Sequence, residues 1–160
     1  MAFDGNYICD SFKNELLKGE HIFGTNAIQI ALYTKEAVGT SYGGSSTVVD
    51  NTITAYAATN EVSATQDDGA TASGYTAGGQ ALAMASSTPK LDGTTAIVDF
   101  DDEEFTSSTF TARGAIIYNA SSSNKAIAVL DFGEDRTVTN GTFTVVFPAA
   151  DSVNAIIRIT

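Results

Sequence analysis

The run Asp99-Phe100-Asp101-Asp102-Glu103-Glu104 is the densest group of side chains with coordinating chemistry in the chain. On an extended backbone Asp99, Asp101 and Glu103 project to one side, and hard cations such as Ca²⁺ bind clusters of carboxylate oxygens. The run lacks the glycine-containing loop of an EF-hand, and Phe100 and Phe105 have the spacing of core anchors around a solvated strand end. A cation site and a plain charged edge both stand as readings. Asp67-Asp68 is a shorter version of the same pattern. Glu134-Asp135, followed by Arg136, reads as a charged turn. Other chemistry is sparse. His21 is the only imidazole and Cys9 the only thiol, and there is no tryptophan in 160 residues. Nucleophilic catalysis needs a base placed against the nucleophile, and His21, in Gly19-Glu20-His21-Ile22-Phe23, has the context of a satisfied or solvent-facing histidine. Gly74-Tyr75-Thr76-Ala77-Gly78-Gly79 is glycine-rich, but it lacks phosphate-cradle spacing and no Lys-Ser/Thr follows. The expectation is a protein that is not an enzyme, with no cofactor and no metal assigned.

The elements that must carry these residues are almost all strands. Apolar residues alternate in Ile28-Gln29-Ile30-Ala31-Leu32-Tyr33, which places Ile28, Ile30 and Leu32 on one face. Alternation recurs over Tyr75 to Ser86, Thr94 to Phe100, Thr109 to Asn119, Lys125 to Phe132, Thr137 to Phe147 and Asn154 to Thr160. Stretches 35–46 and 66–74 read as loops, Pro89 and Asp92-Gly93 mark a turn, and Ser121-Ser122-Ser123-Asn124 reads as a hairpin loop. Asn140-Gly141 carries the strongest dipeptide signal for another hairpin, though its first arm is short. No helical pattern separates these runs, so the strands pair antiparallel. The predicted fold is all-β: an antiparallel β-sandwich of jelly-roll or Greek-key type with a short N-terminal helix.

That helix is expected over Ser11 to Lys18, capped by Asp10 and stopped by Gly19. Ile8, Phe12 and Leu16 form a stripe at four-residue spacing, with Leu17 beside it. The stripe either lies on the chain's own sheet or docks on a neighbouring subunit. Two parts are therefore expected: residues 1–24 as an arm with an amphipathic helix, least needed to close a sandwich, and 25–160 as the β-sandwich domain. Arg113, mid-strand among apolar neighbours, needs a carboxylate within the chain or across a subunit boundary, and Arg158 in the last strand poses the same question. Ile8, Phe12, Leu16, Phe23, Arg113 and Arg158 are the candidate interface residues.

Nineteen acidic against eight basic side chains give a net charge of −11. Nucleic acid and anionic membrane surfaces repel such a chain and are not its expected partners. A lone Cys9 rules out an intrachain disulfide, and it fits a reducing compartment or simple burial as a small apolar residue. The first ten residues lack the basic and apolar regions of a signal peptide, so synthesis in a cytoplasm without ordinary export is expected.

Several segments together resemble a group of small virion proteins of tailed bacteriophages. They are Ser11-Phe12-Lys13-Asn14-Glu15-Leu16-Leu17-Lys18-Gly19-Glu20-His21, the strand Ile28 to Tyr33, Thr59-Asn60-Glu61-Val62, Gly74-Tyr75-Thr76-Ala77-Gly78-Gly79, Phe110-Thr111-Ala112-Arg113-Gly114-Ala115 and Ala128-Val129-Leu130-Asp131-Phe132-Gly133. The resemblance spans nearly the whole chain and its motifs are structural. It implies a virion component made in the host cytoplasm: foremost a capsid decoration (cement) protein on the capsid surface. Its implied partners are the major capsid protein and copies of itself, as a homotrimer. The alternative is a neck, tail or fibre-associated protein that touches host glycan.

Overall fold

A computed structural model of the chain describes residues 2–3, 5–34, 48–58, 61–62, 74–85 and 87–160. The loops expected at 35–46 and 66–74 lie outside these residues, except for Gly74. The described strands are β1 (Ala2–Phe3), β2 (Tyr7–Ile8), β3 (Ile28–Tyr33), β4 (Val48–Val49), β5 (Gln80–Ala81), β6 (Lys90–Asp92), β7 (Thr95–Val98), β8 (Glu103–Asn119), β9 (Lys125–Val145) and β10 (Ile157–Ile159). One helix, α1 (Asp10–Leu17), lies between β2 and β3. A five-stranded sheet in the order β2-β9-β8-β3-β5 and a three-stranded sheet in the order β10-β7-β6 are antiparallel throughout, and β1 and β4 form a small parallel pair. The protein is an all-β antiparallel sandwich, as its alternation predicts.

β3 is buried along nearly its whole length because β5 and β8 flank it and the core covers it. Its pairing with β5 demands a glycine. A Cβ on Gly79 would stand 1.8 Å from the Ile30 carbonyl oxygen, and the residue has φ +77°. Gly79→Ala is expected to cost roughly 3 kcal/mol, combining backbone strain with a forced shift of β3. The check is a melting temperature about 10 °C below that of the parent.

β8 and β9 are the long elements, joined by the expected turn at 121–124, where Ser123 and Asn124 have φ of 51° and 57°. The Asn140-Gly141 hairpin does not occur: β9 continues through it. Asn140 (φ 48°) and Ser107 (φ 53°) instead mark irregularities on the two paired strands, where the register shifts between Phe105 and Ser108 and again before Phe110. Asn tolerates the left-handed region, which is why the dipeptide mimics a hairpin signal. The charged turn expected at Glu134-Asp135-Arg136 is likewise a bulge inside β9. Between Gly114↔Asp131 and Ala112↔Arg136, β8 advances two residues while β9 advances five.

These irregularities fold the ribbon over. Phe132 and Phe143 lie eleven residues apart on β9, about 35 Å on a straight strand, yet their rings are 5.9 Å apart. Phe105 and Phe110 on β8 meet at 6.2 Å, and Phe110 and Phe143 at 5.2 Å. An aromatic cluster thus fills the corner at which the ribbon leaves the five-stranded sheet, the kind of bend by which strands pass between the layers of a sandwich. Glu103 already belongs to β8, so the acidic run bridges the β7 end of one sheet to the β8 start of the other. Of the strand expected over Tyr75 to Ser86, only Gln80–Ala81 is laddered.

α1 starts one residue earlier than expected, and Asp10 is not its cap. Cys9 holds the N-cap position without a side-chain hydrogen bond. The Asp10 carboxylate takes hydrogen bonds from Lys13 Nζ (2.7 Å) and Asn51 Nδ2 (2.6 Å) instead. Gly19 stops the helix as expected, with φ +72° and a Schellman pair of hydrogen bonds, Gly19 N to Leu16 O (3.1 Å) and Glu20 N to Glu15 O (3.0 Å). Leu17, expected beside the apolar stripe, is 89% exposed.

Candidate functional site

The largest polar network surrounds Glu61, which is 6% exposed. Oε1 accepts from the Tyr75 hydroxyl (2.6 Å) and the Gly78 backbone N–H (2.6 Å), and Oε2 accepts from the Tyr56 hydroxyl (2.7 Å). Tyr75 Oη in turn accepts from Leu32 N (3.0 Å). Tyr118, stacked on Tyr56 at 4.6 Å, donates towards Gln29 Oε1 (2.6 Å) and the Gly78 carbonyl (2.7 Å). Tyr33 donates to the Ala57 carbonyl at 2.8 Å. Burial, together with the nearby Glu61 charge, raises the phenol pKa of Tyr33, Tyr56 and Tyr75, and pushes that of Tyr118 up to about 12. These phenols are held as donors. Their work is to pin residues 53–58, 61–62 and 74–79 onto β3 and β8.

A second network ties the N-terminal region to the β8–β9 turn. Asn119 is fully buried, and its Oδ1 accepts from Ser121 N (3.0 Å). Its Nδ2 faces Asn26 Oδ1 (3.0 Å), His21 Nδ1 (3.2 Å) and the Glu20 carbonyl (3.4 Å). A flipped amide would set oxygen against oxygen, so the amide orientation is dictated by its neighbours. His21 Nδ1 is therefore an acceptor, and Nε2–H donates to Glu15 Oε2 at 3.0 Å. Lys125 Nζ bonds Glu15 Oε1 at 2.9 Å and also pairs with Glu20. Burial opposes ionisation of Glu15, but the bonds from His21 and Lys125 hold its carboxyl below the usual range. Hydrogen bonds to Glu20 and Glu15 raise Lys125. Phe12 closes the site, its ring 4.8 Å from His21. This Glu-His-Asn line resembles a catalytic relay in composition only, because both imidazole nitrogens are occupied and the His21 side chain has no exposure.

The acidic run does not converge on one point. Asp99 is fully buried, whereas Asp101, Asp102 and Glu104 are exposed. Asp102 Oδ1 accepts from Phe147 N (2.8 Å). Among the described residues, no group of three or more His, Cys, Asp or Glu side chains is placed to hold a metal ion. Asp99 Oδ1 accepts from Phe100 N (2.9 Å), but Oδ2 has no partner. Burial raises the Asp99 carboxyl pKa, and the Phe100 N–H bond, with the Ile156 N–H nearby, offsets this only in part. The folded state therefore holds this proton more tightly than the unfolded chain, and stability falls as pH rises through the folded pKa. Asp99→Asn is expected to raise stability at pH 7 by roughly 1 kcal/mol, about 2–4 °C in melting temperature. The gain should vanish near pH 3, where Asp99 is protonated in both states. Melting curves at the two pH values check this.

The six expected interface residues separate into distinct places. Ile8 pairs with Ala128 and packs half-buried against the core, and Phe12 is 2% exposed in that core. Leu16 and Phe23 are half-buried and line one apolar recess of about 190 Å³ with Pro89, Val98, Ile157 and Ile159. Arg113 pairs within the chain, its Nη2 3.5 Å from Asp131 Oδ1. Arg158 is exposed on β10. It lines a different recess of about 280 Å³ with Asn6, Tyr7, Ile8 and Leu130. Glu61, His21, Asp99 and Cys9 are all buried and line neither of these two recesses. Burial pushes the Cys9 thiol up to about 12, away from nucleophilic character.

No periodicity announces either network: Gln29, Glu61, Tyr75, Gly78 and Tyr118 come from four separate stretches of chain. One local pattern is visible at Gly39-Thr40-Ser41-Tyr42-Gly43, which has Gly-x-Ser-x-Gly spacing. It lies outside the described residues. Comparison of the chain with protein-family models, with curated proteins and with solved structures finds no match.

Proposed function

We propose that this chain is a non-enzymatic structural protein of a virion, foremost a capsid decoration protein that binds the shell beside copies of itself. One observation carries the non-enzymatic part: the buried groups able to do acid, base or nucleophilic chemistry face inward. Glu61, Glu15 and His21 are saturated by internal partners, and Asp99 and Cys9 are fully buried. Such an arrangement fits bracing, since a working acid or base must reach the reacting atom. The virion part rests on the segments quoted above for their resemblance to tailed-phage virion proteins. A small, sparsely charged, rigid sandwich also suits attachment at many shell positions, where several modest contacts add up.

The test is the protein content of purified particles from cells expressing the gene with its neighbours. Hundreds of copies per particle are expected. A few to dozens of copies would place the chain at the neck, tail or fibre. Absence from particles would overturn the proposal, as would turnover of a hydrolysable substrate by the pure protein.

A further inference from the structure

β9 runs through Asn140-Gly141 without turning, and the dipeptide keeps a chemistry of its own. Asn140 is the one asparagine in the chain that glycine follows. It is exposed, and its Nδ2 donates to no described residue. Its Oδ1 has only the Thr109 hydroxyl, at 3.5 Å. Other asparagines are held. Asn119 is fully buried with both ends of its amide engaged. Asn26 and Asn6 accept through Oδ1 from Ile22 N and Asp131 N, and Asn51 and Asn154 donate to Asp10 and Asp151. Asn14 and Asn124 precede Glu15 and Lys125, whose side chains screen the next backbone nitrogen.

The backbone at this point is loosely laced. Ser108↔Gly141 is a single paired position with a register shift on either side of it, and Asn140 stands at φ 48°. The Asn140 N–H is tied to Thr109 Oγ1 at 2.9 Å rather than to a strand carbonyl. Opening the ladder here gives up one isolated position, so the Gly141 nitrogen is freed by a local fluctuation and not by unfolding of the sheet. Gly141 has no side chain to shield that nitrogen or to restrict rotation towards the Asn140 amide.

We propose that Asn140 is a site of spontaneous covalent modification, converting with time to aspartate and isoaspartate in the folded protein. The Gly141 backbone nitrogen attacks Asn140 Cγ. The Cγ–Nδ2 bond breaks, the Gly141 N–H proton passes to the departing nitrogen, and ammonia leaves. The product is a five-membered succinimide. Solvent water adds to one of its two carbonyls, giving aspartate by one opening and isoaspartate by the other. Either product adds one negative charge. Aspartate keeps the left-handed tolerance of asparagine, whereas isoaspartate adds a carbon to the β9 backbone opposite Ser108, at the corner packed by Phe110 and Phe143. The inference rests on this one position and holds wherever the protein resides.

The test is incubation of the folded full chain at mildly alkaline pH, followed by digestion and mass spectrometry. The peptide that contains Asn140 should gain one dalton and split into two chromatographic species, while peptides with Asn6, Asn26 and Asn119 stay unchanged. Gly141→Ala should slow the conversion several-fold. The fold accepts it, because the added Cβ would meet only the end of the Val138 side chain, at 3.3 Å, and the backbone φ there is not positive. Thr109→Val removes the tie on the Asn140 N–H and should speed the conversion. Asn140→Asp should fold, melt with the parent and release no ammonia from this peptide. The proposal is overturned if Asn140 stays intact in the folded chain while a denatured sample of the same chain converts it. It is also overturned if the buried asparagines convert as fast as Asn140, or if Gly141→Ala converts at the rate of the parent.

Discussion

Glu61→Ala lowers the melting temperature by on the order of 10 °C, a loss as large as that expected of Gly79→Ala. The substitution removes the acceptor of three hydrogen bonds at once, those from Tyr56, Tyr75 and the Gly78 N–H. Each buried donor left without its acceptor costs about 1–3 kcal/mol, so roughly 4 kcal/mol is expected in all, and each kcal/mol is worth about 2–4 °C in a domain of this size. Tyr75 also touches Phe105 at 5.6 Å and takes the Leu32 N–H, so the damage reaches the aromatic corner and β3. Glu61→Gln keeps the shape but turns an amide donor towards donors, and should recover less than half of the loss. Thermal denaturation followed by circular dichroism decides it. A Glu61→Ala protein melting within 2–3 °C of the parent would mean that water replaces the carboxylate, and that the network is peripheral.

Deleting residues 1–23 is expected to prevent folding rather than to release an intact sandwich. Residues 25–160 have most of the strands, but they do not close their own core. Tyr7 and Ile8 pair with Val129 and Ala128, Cys9 N donates to the Ile127 carbonyl (2.9 Å), and Asn6 Oδ1 accepts from Asp131 N (2.7 Å). Cys9 and Phe12 are 0% and 2% exposed. Loss of Phe12 alone costs about 3–5 kcal/mol, against a total stability of about 5–15 kcal/mol for a domain. Deletion also strips Lys125 of Glu15 and Glu20, and Asn119 of His21. The truncated protein should elute as aggregate and melt without a cooperative transition. A monodisperse product with a sharp transition would restore the segment to the status of a detachable arm. The milder Leu17→Ser, at an 89% exposed position, should leave stability within about 0.5 kcal/mol and serves as the folding control.

Patterns with a short period survive translation into structure because they depend only on neighbours along the chain. Alternation at Ile28, Ile30 and Leu32 made β3, the Ser121 to Asn124 turn joined β8 to β9, and Gly19 ended α1. Each reflects a local preference that the core reinforced. Local signals failed where a long-range demand used the same residue differently. Asn140-Gly141 has the left-handed tolerance of a hairpin turn, but Phe143 had to reach Phe110 and Phe132, so the tolerance went into a corner. Asp10 is a competent cap, yet Asn51 and Lys13 claimed its carboxylate.

The amino-acid order thus determined by itself that the protein is a β-sandwich with one short helix and almost no reactive side chains. Which polar residues meet was decided by the tertiary structure alone. Glu61 finds Tyr75 and Tyr56, and His21 finds Glu15 and Asn119, because the sheet order places distant strands side by side.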